Sequence, residues 1–88
     1  MKPTITEVQV IPLKPKDGLV ALASCVYDGN LYLGSIGIYT KLSGGYRLAY
    51  PTKKTPTTAI NIFHPINKDI AERIEQEIIG KFEELTKQ

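Results

Sequence analysis

The sequence predicts an α+β fold: an antiparallel β-meander of four to five strands followed by one C-terminal α-helix packed on the sheet, dimerising through the sheet. Three observations lead there. The first fifty residues fall into apolar or alternating runs separated by Lys14-Pro15-Lys16-Asp17-Gly18, Asp28-Gly29-Asn30 and Ser43-Gly44-Gly45, and turn clusters at such spacing join neighbouring strands into hairpins. The last quarter changes period, with Ile70, Ile74, Ile78, Phe82 and Leu85 recurring at steps of three or four, which is a helix with one apolar stripe. The chain has 88 residues, enough for one domain and too few for two. A single domain, 1–88, is expected, with the sheet within 4–63 and the helix over 68–86.

Taken in order, Thr4 to Leu13 places Thr6, Val8 and Val10 on one face and Ile5, Glu7, Gln9 and Ile11 on the other, a strand with one cleaner apolar side. Leu19 to Tyr27 is apolar at nearly every position, as suits a strand covered on both faces. Asp28-Gly29 tolerates the positive φ of a tight hairpin turn, so Leu31 to Thr40 should pair antiparallel with the preceding strand. Tyr46 to Tyr50 follows the Ser43-Gly44-Gly45 turn as a fourth strand, and Ala59 to Phe63 is a candidate fifth. Asn67 is a favoured N-cap residue, and Asp69 lies where the helix dipole favours negative charge. Gly80, inside the helix, costs about 1 kcal/mol relative to alanine; it either permits close packing or marks fraying.

One helix covers only one face of a sheet. The second strand has Val20, Leu22 and Val26 on one side and Leu19, Ala21, Ala23 and Tyr27 on the other. A chain of this size buries only roughly two-thirds of its unfolded surface, so a second copy across the uncovered face is expected, the alternative being a modest exposed patch under one loop.

Eleven Lys+Arg against nine Asp+Glu give a formal net charge of +2, too mild to announce a polyanion ligand by itself. The distribution says more. Lys41, Arg47, Lys53 and Lys54 sit in a stretch without an acidic residue from Thr40 to Lys68, while Glu72, Glu75, Glu77, Glu83 and Glu84 crowd the last quarter. Cys25 is the only cysteine, which excludes an intrachain disulfide and reads as a small buried hydrophobe. Met1-Lys2-Pro3-Thr4 opens into strand-like sequence without the apolar stretch of a signal peptide, and no segment reaches the ~20 apolar residues of a membrane span. A cytoplasmic protein with no membrane partner is the expectation.

Catalytic, metal and cofactor chemistry find little to work with. His64 is the only histidine, and Phe63, Pro65, Ile66 and Asn67 around it supply no second ligand. It is expected to hold a backbone carbonyl or the helix start, with a nucleic-acid contact as the alternative. Ser24, Ser35 and Ser43 lie in no nucleophile-elbow context, and Ser43-Gly44-Gly45-Tyr46 lacks the Gly-Lys-Ser/Thr ending of a phosphate loop. No enzyme, no cofactor, no metal and no small-molecule substrate are expected.

Binding is what remains. Pro51-Thr52-Lys53-Lys54-Thr55-Pro56 is a basic loop stiffened at both ends by proline, and cations on a constrained backbone lose less entropy on meeting phosphates. Lys53 and Lys54 are the leading candidates for nucleic-acid contact, supported by Arg47 and Lys41 and by Lys68 and Arg73 near the helix start. Tyr46 and Tyr50 flank Arg47 as an aromatic platform or, alternatively, as packing residues.

This region resembles the SpoVG family (stage V sporulation protein G, septation regulators). Its members typically read Met-Pro-Ser-Lys-Arg-Thr-Pro, an apolar strand, then His-Pro-Ile-Asn; the equivalents here are Tyr50-Pro51-Thr52-Lys53-Lys54-Thr55-Pro56 and His64-Pro65-Ile66-Asn67. The resemblance extends over nearly the whole chain. It implies a small, dimeric, cytoplasmic, site-preferring nucleic-acid-binding protein, with DNA or RNA as its ligand, that affects septation, sporulation and gene expression. Three departures stand out: Lys54 replaces the arginine of the doublet, Gly37 stands where members usually place a basic residue, and Thr57-Thr58 replaces an acidic, glycine-containing link. Lysine is a point charge rather than a fork, so less selective binding is expected. The competing reading is a protein-interaction module of the division or sporulation machinery, docking by the acidic helix face or a sheet edge, with the lysines serving solubility.

Overall fold

The computed structural model describes residues 3–86; the expectation for Met1 and Lys2 lies outside them. Four strands, β1 (Ile5–Lys16), β2 (Leu19–Tyr27), β3 (Leu31–Thr40) and β4 (Tyr46–Ala49), form an antiparallel sheet in the order β1-β2-β3-β4. A separate hairpin, β5 (Thr52–Lys54) with β6 (Ala59–Asn61), follows, and then the helix α1 (Lys68–Thr86). The meander and helix are those the sequence predicts. The candidate fifth strand differs: Ala59–Asn61 does not extend the main sheet but pairs with Thr52–Lys54, a segment expected as loop.

Both tight hairpins depend on backbone that few residues adopt. Asp17 and Gly18 join β1 to β2 with φ of 54° and 89°, and Asp28 and Gly29 join β2 to β3 with φ of 52° and 69°. Positive φ at both central positions gives a turn whose twist matches that of the strands it connects. The first turn is shorter than expected, because β1 runs on through Pro15 and Lys16.

Irregularities in register decide which side chains reach the core. Between Thr6↔Val26 and Gln9↔Ser24, β1 advances three residues against two, with Glu7 at φ 50°. Such an extra residue resets the two-residue alternation. Ile5 therefore joins Val8 and Val10 against the core, rather than facing away from them as simple alternation predicts. A second shift lies between Leu19↔Tyr39 and Ala21↔Ile38; Val20 packs on the core, while Leu19 lies against Tyr39 beside Gly37. A third, with Ser35 at φ 59°, separates Ala23↔Ile36 from Cys25↔Leu33.

One face of the sheet carries the core. Ala21, Ala23 and Cys25 of β2 and Ile36 and Ile38 of β3 are buried against Ile74, Ile78 and Phe82 of α1. Small residues on β2 let the helix approach closely, and each fully buried isoleucine contributes about 1.5–3 kcal/mol. The helix lies mostly on β1 and also reaches β2 and β4. Tyr46 closes one side by meeting Phe82 edge-on at 5.0 Å, and Tyr50 meets Phe63 at 6.1 Å. Leu85, expected on the stripe, is 46 % exposed: the buried part of the stripe ends at Phe82. Among the described residues no helix is long and apolar enough to cross a membrane.

Gly80 is exposed, and a Cβ there would meet nothing within 4 Å. Close packing is therefore not its role. Gly80→Ala should stabilise the fold by about 1 kcal/mol, read as a rise in Tm of roughly 4–8 °C for a domain of this size.

Burial, and then the negative charges of Cys25 and Glu75, push the Tyr50 phenol from 10.0 up to about 12. An acid whose pKa is raised on folding favours the folded state below its unfolded pKa and loses that contribution as pH climbs to the folded one. Stability should fall between about pH 10 and 12, and Tyr50→Phe should make that alkaline decline shallower in denaturant titrations.

Candidate nucleic-acid interface

The hairpin that carries Lys53 and Lys54 is tied together by more than its prolines. Its two strands pair as Thr52↔Asn61, Lys53↔Ile60 and Lys54↔Ala59. At the tip, the Thr55 amide donates to the Thr58 carbonyl at 2.7 Å, the Thr55 hydroxyl donates to the same carbonyl at 3.0 Å, and Thr55 Oγ1 accepts from the Thr58 amide at 3.1 Å. At the root, the Ile62 amide donates to the Pro51 carbonyl at 3.0 Å. Threonine 55 thus closes the turn that Pro56 bends.

Placing the lysines on a strand changes what they can do. Both are exposed, but neighbouring residues of a strand point to opposite faces. The doublet therefore straddles the hairpin, one cation to each side, instead of offering a single close pair. Such an element suits a groove or a strand that wraps it, with each lysine reaching a different phosphate.

The other four cations divide between two sides of the molecule. Arg47, on β4, lies opposite Tyr39 of β3, and its guanidinium sits over the Tyr39 ring 4.8 Å from the centroid. Ile38 and Leu48 pack on the core, so Tyr39 and Arg47, one residue along each strand, occupy the face away from the helix. Lys41 is exposed in the β3–β4 turn, where its amide donates to the Gly45 carbonyl at 3.0 Å. Lys68 and Arg73 belong to α1, which covers the other face. Arg73 is half-buried and lines a recess with Tyr27, Asp69 and Glu72, where the acidic neighbours offset it. The sheet separates Arg47 from Lys68 and Arg73, so the six candidates do not form one patch.

The segment after the hairpin behaves as the sequence indicates. Asn67 Oδ1 accepts from the Asp69 amide at 2.8 Å and the Ile70 amide at 3.2 Å, satisfying two of the free donors at the start of the helix. His64 Nδ1 lies 3.2 Å from the Pro65 carbonyl, one of the two structural roles expected of it. Between the β2–β3 end of the sheet, this segment and the helix lies an apolar recess of about 260 Å³, lined by Leu31, Leu33, Tyr50, Phe63, Ile66 and Ile70 among others.

Tyr46 and Tyr50 pack on phenylalanines of the core side, so they are not the aromatic platform beside Arg47. That place belongs to Tyr39, which is not among the residues expected there. Its signal was available in Tyr39-Thr40 and Tyr46-Arg47, once the short Ser43-Gly44-Gly45 turn is used to align the two strands.

The SpoVG family model matches residues 3–84. The septation protein SpoVG of Clostridium kluyveri is 29 % identical over 82 residues, covering 92 % of this chain and 84 % of its own. Its counterpart in Thermoanaerobacter pseudethanolicus is 29 % identical over 85 residues, covering 96 % and 91 %. With the hairpin, the His64-Pro65-Ile66-Asn67 entry to the helix and the meander all within the matched span, this chain belongs to the SpoVG family.

Proposed function

We infer that this protein is a nucleic-acid-binding regulatory protein that acts as a homodimer in septation and sporulation. The observation that carries the reading is the paired hairpin presenting Lys53 and Lys54 to solvent, on a stretch of chain free of acidic residues. The acids of the last quarter are gathered on the exposed side of α1, at Glu72, Glu75, Glu77, Glu83 and Glu84. A polyanion is drawn to one side of the molecule and repelled from the other. The names of the two relatives support the connection with septation.

The same hairpin supports a second copy as partner. A two-stranded hairpin is marginal by itself in water, and every residue of β5 and β6 is exposed. Beside it Leu31, Ile60, Ile62 and Ile66 are all more than half exposed, Ile66 at 92 %. The uncovered sheet face, where pairing is expected from the sequence, carries Arg47 together with the exposed Ile11, Leu22 and Tyr32. A two-fold contact at the hairpin root would cover the isoleucines and bring two Lys53-Lys54 doublets onto one assembly.

The acidic helix face favours a second reading, a docking module for a basic protein of the division machinery. Replacing Lys53 and Lys54 together with alanine distinguishes the two. Nucleic-acid binding predicts a loss of at least tenfold in affinity for duplex DNA, with the circular dichroism spectrum unchanged. For the unaltered dimer, about four neutralised phosphates give a log K against log salt slope of roughly −3 to −4. Unchanged affinity in the double variant, or affinity independent of salt, would favour the docking module.

A further inference from the structure

The face of the four-stranded sheet away from the helix has an unusual third strand. Reading outward-facing positions along β3 gives Tyr32, Gly34, Gly37 and Tyr39, placed symmetrically within the run Tyr32-Leu33-Gly34-Ser35-Ile36-Gly37-Ile38-Tyr39. Each tyrosine folds over its nearer glycine. An added Cβ at Gly34 would fall 2.7 Å from Tyr32 Cε2, and one at Gly37 would fall 2.9 Å from Tyr39 Cε1. The rings thus lie along the sheet where any other residue would hold them off. Tyr32 nevertheless remains 74 % exposed. Tyr39 carries the Arg47 guanidinium on its ring, which gives a second flat, cationic surface.

The surroundings fit a polyanion. The strand register aligns Lys16 with Leu19, Leu19 with Tyr39, and Tyr39 with Arg47 across the sheet. At the other end Thr6, Val26 and Tyr32 are aligned. Neither row contains a carboxylate; the acids of the sheet region, Glu7, Asp17 and Asp28, sit at a bulge and in the turns. Aromatic faces and arginine planes beside cations are the means by which unpaired bases are held, since every base has a π-face and a duplex hides it.

We propose that this open sheet face is a stacking platform for single-stranded nucleic acid, with Tyr32 at one end and the Tyr39–Arg47 pair at the other. The inference rests on the nucleic-acid reading of the lysine hairpin and gives it a preference: single strands over duplex. The rings lean toward each other over Gly34 and Gly37, positions three residues and roughly 10 Å apart along the strand, so one strand lying across the sheet stacks neighbouring or next-neighbouring bases on the two surfaces. Duplex DNA would engage only the hairpin cations.

The test uses an oligothymidylate of about twelve nucleotides and a duplex, titrated against the unaltered protein, Tyr32→Leu, Tyr39→Leu, the two Tyr→Phe variants and the Lys53→Ala/Lys54→Ala variant. Each leucine should weaken single-strand binding roughly tenfold and leave duplex binding within about twofold, while phenylalanine retains both. Irradiating the unaltered protein with a bromouracil-substituted oligonucleotide should place adducts on the β3 peptide, a readout that needs no variant to fold. Leucine variants that bind single strands normally, or adducts confined to the helix, overturn the platform. So does a Tyr32→Leu variant that shifts only the monomer–dimer balance, because a second copy then covers this face. If the lysine variant loses both ligands while the leucine variants lose neither, the hairpin reading stands alone. If only the leucine variants lose single strands, the platform stands and the hairpin reading fails.

Discussion

The close seating of α1 on three small residues of β2 sets the terms for the whole molecule. Ala21, Ala23 and Cys25 form a shallow floor into which Ile74, Ile78 and Phe82 descend, and among the described residues no second helix treats the opposite face likewise. Burial also raises the Cys25 thiol above its ordinary pKa, which keeps it an inert part of that floor. With the apolar side consumed by the core, the remaining side of the sheet and the hairpin after β4 are left to meet other molecules.

Charge follows the same division. Carboxylates line the outer side of the helix, whereas Arg47, Lys41, Lys53 and Lys54 belong to strands and turns. A net charge of +2 therefore understates the polarity of the molecule. Arg73 shows the limit of counting cations along a sequence: on the helix it lines one recess with Asp69 and Glu72, acidic neighbours that the β-strand cations lack.

Much of this was legible in the sequence, because the features concerned are local. Asp28-Gly29 specifies its hairpin through backbone preference alone, and Asn67 specifies the helix start through one side-chain oxygen. The misreadings all concern partnership at a distance. Ile5 and Leu19 changed sides because bulges at Glu7 and Val20 interrupt the alternation, and no composition rule announces an extra residue. Thr52–Lys54 looked like loop because two lysines and a threonine carry little strand signal; its pairing with Ala59–Asn61 gives it that structure. Tyr46 and Tyr50 were placed beside Arg47 by adjacency in the chain, whereas cross-strand register gives that position to Tyr39.

The glycines under the β3 tyrosines bind two pairs of positions into single units of inheritance. A methyl group at Gly34 or Gly37 would lift the ring above it, so neither glycine can drift while its tyrosine keeps its posture. Descendants of this chain that lose one member of a pair would be free to lose the other, and the two sites should be retained or abandoned together.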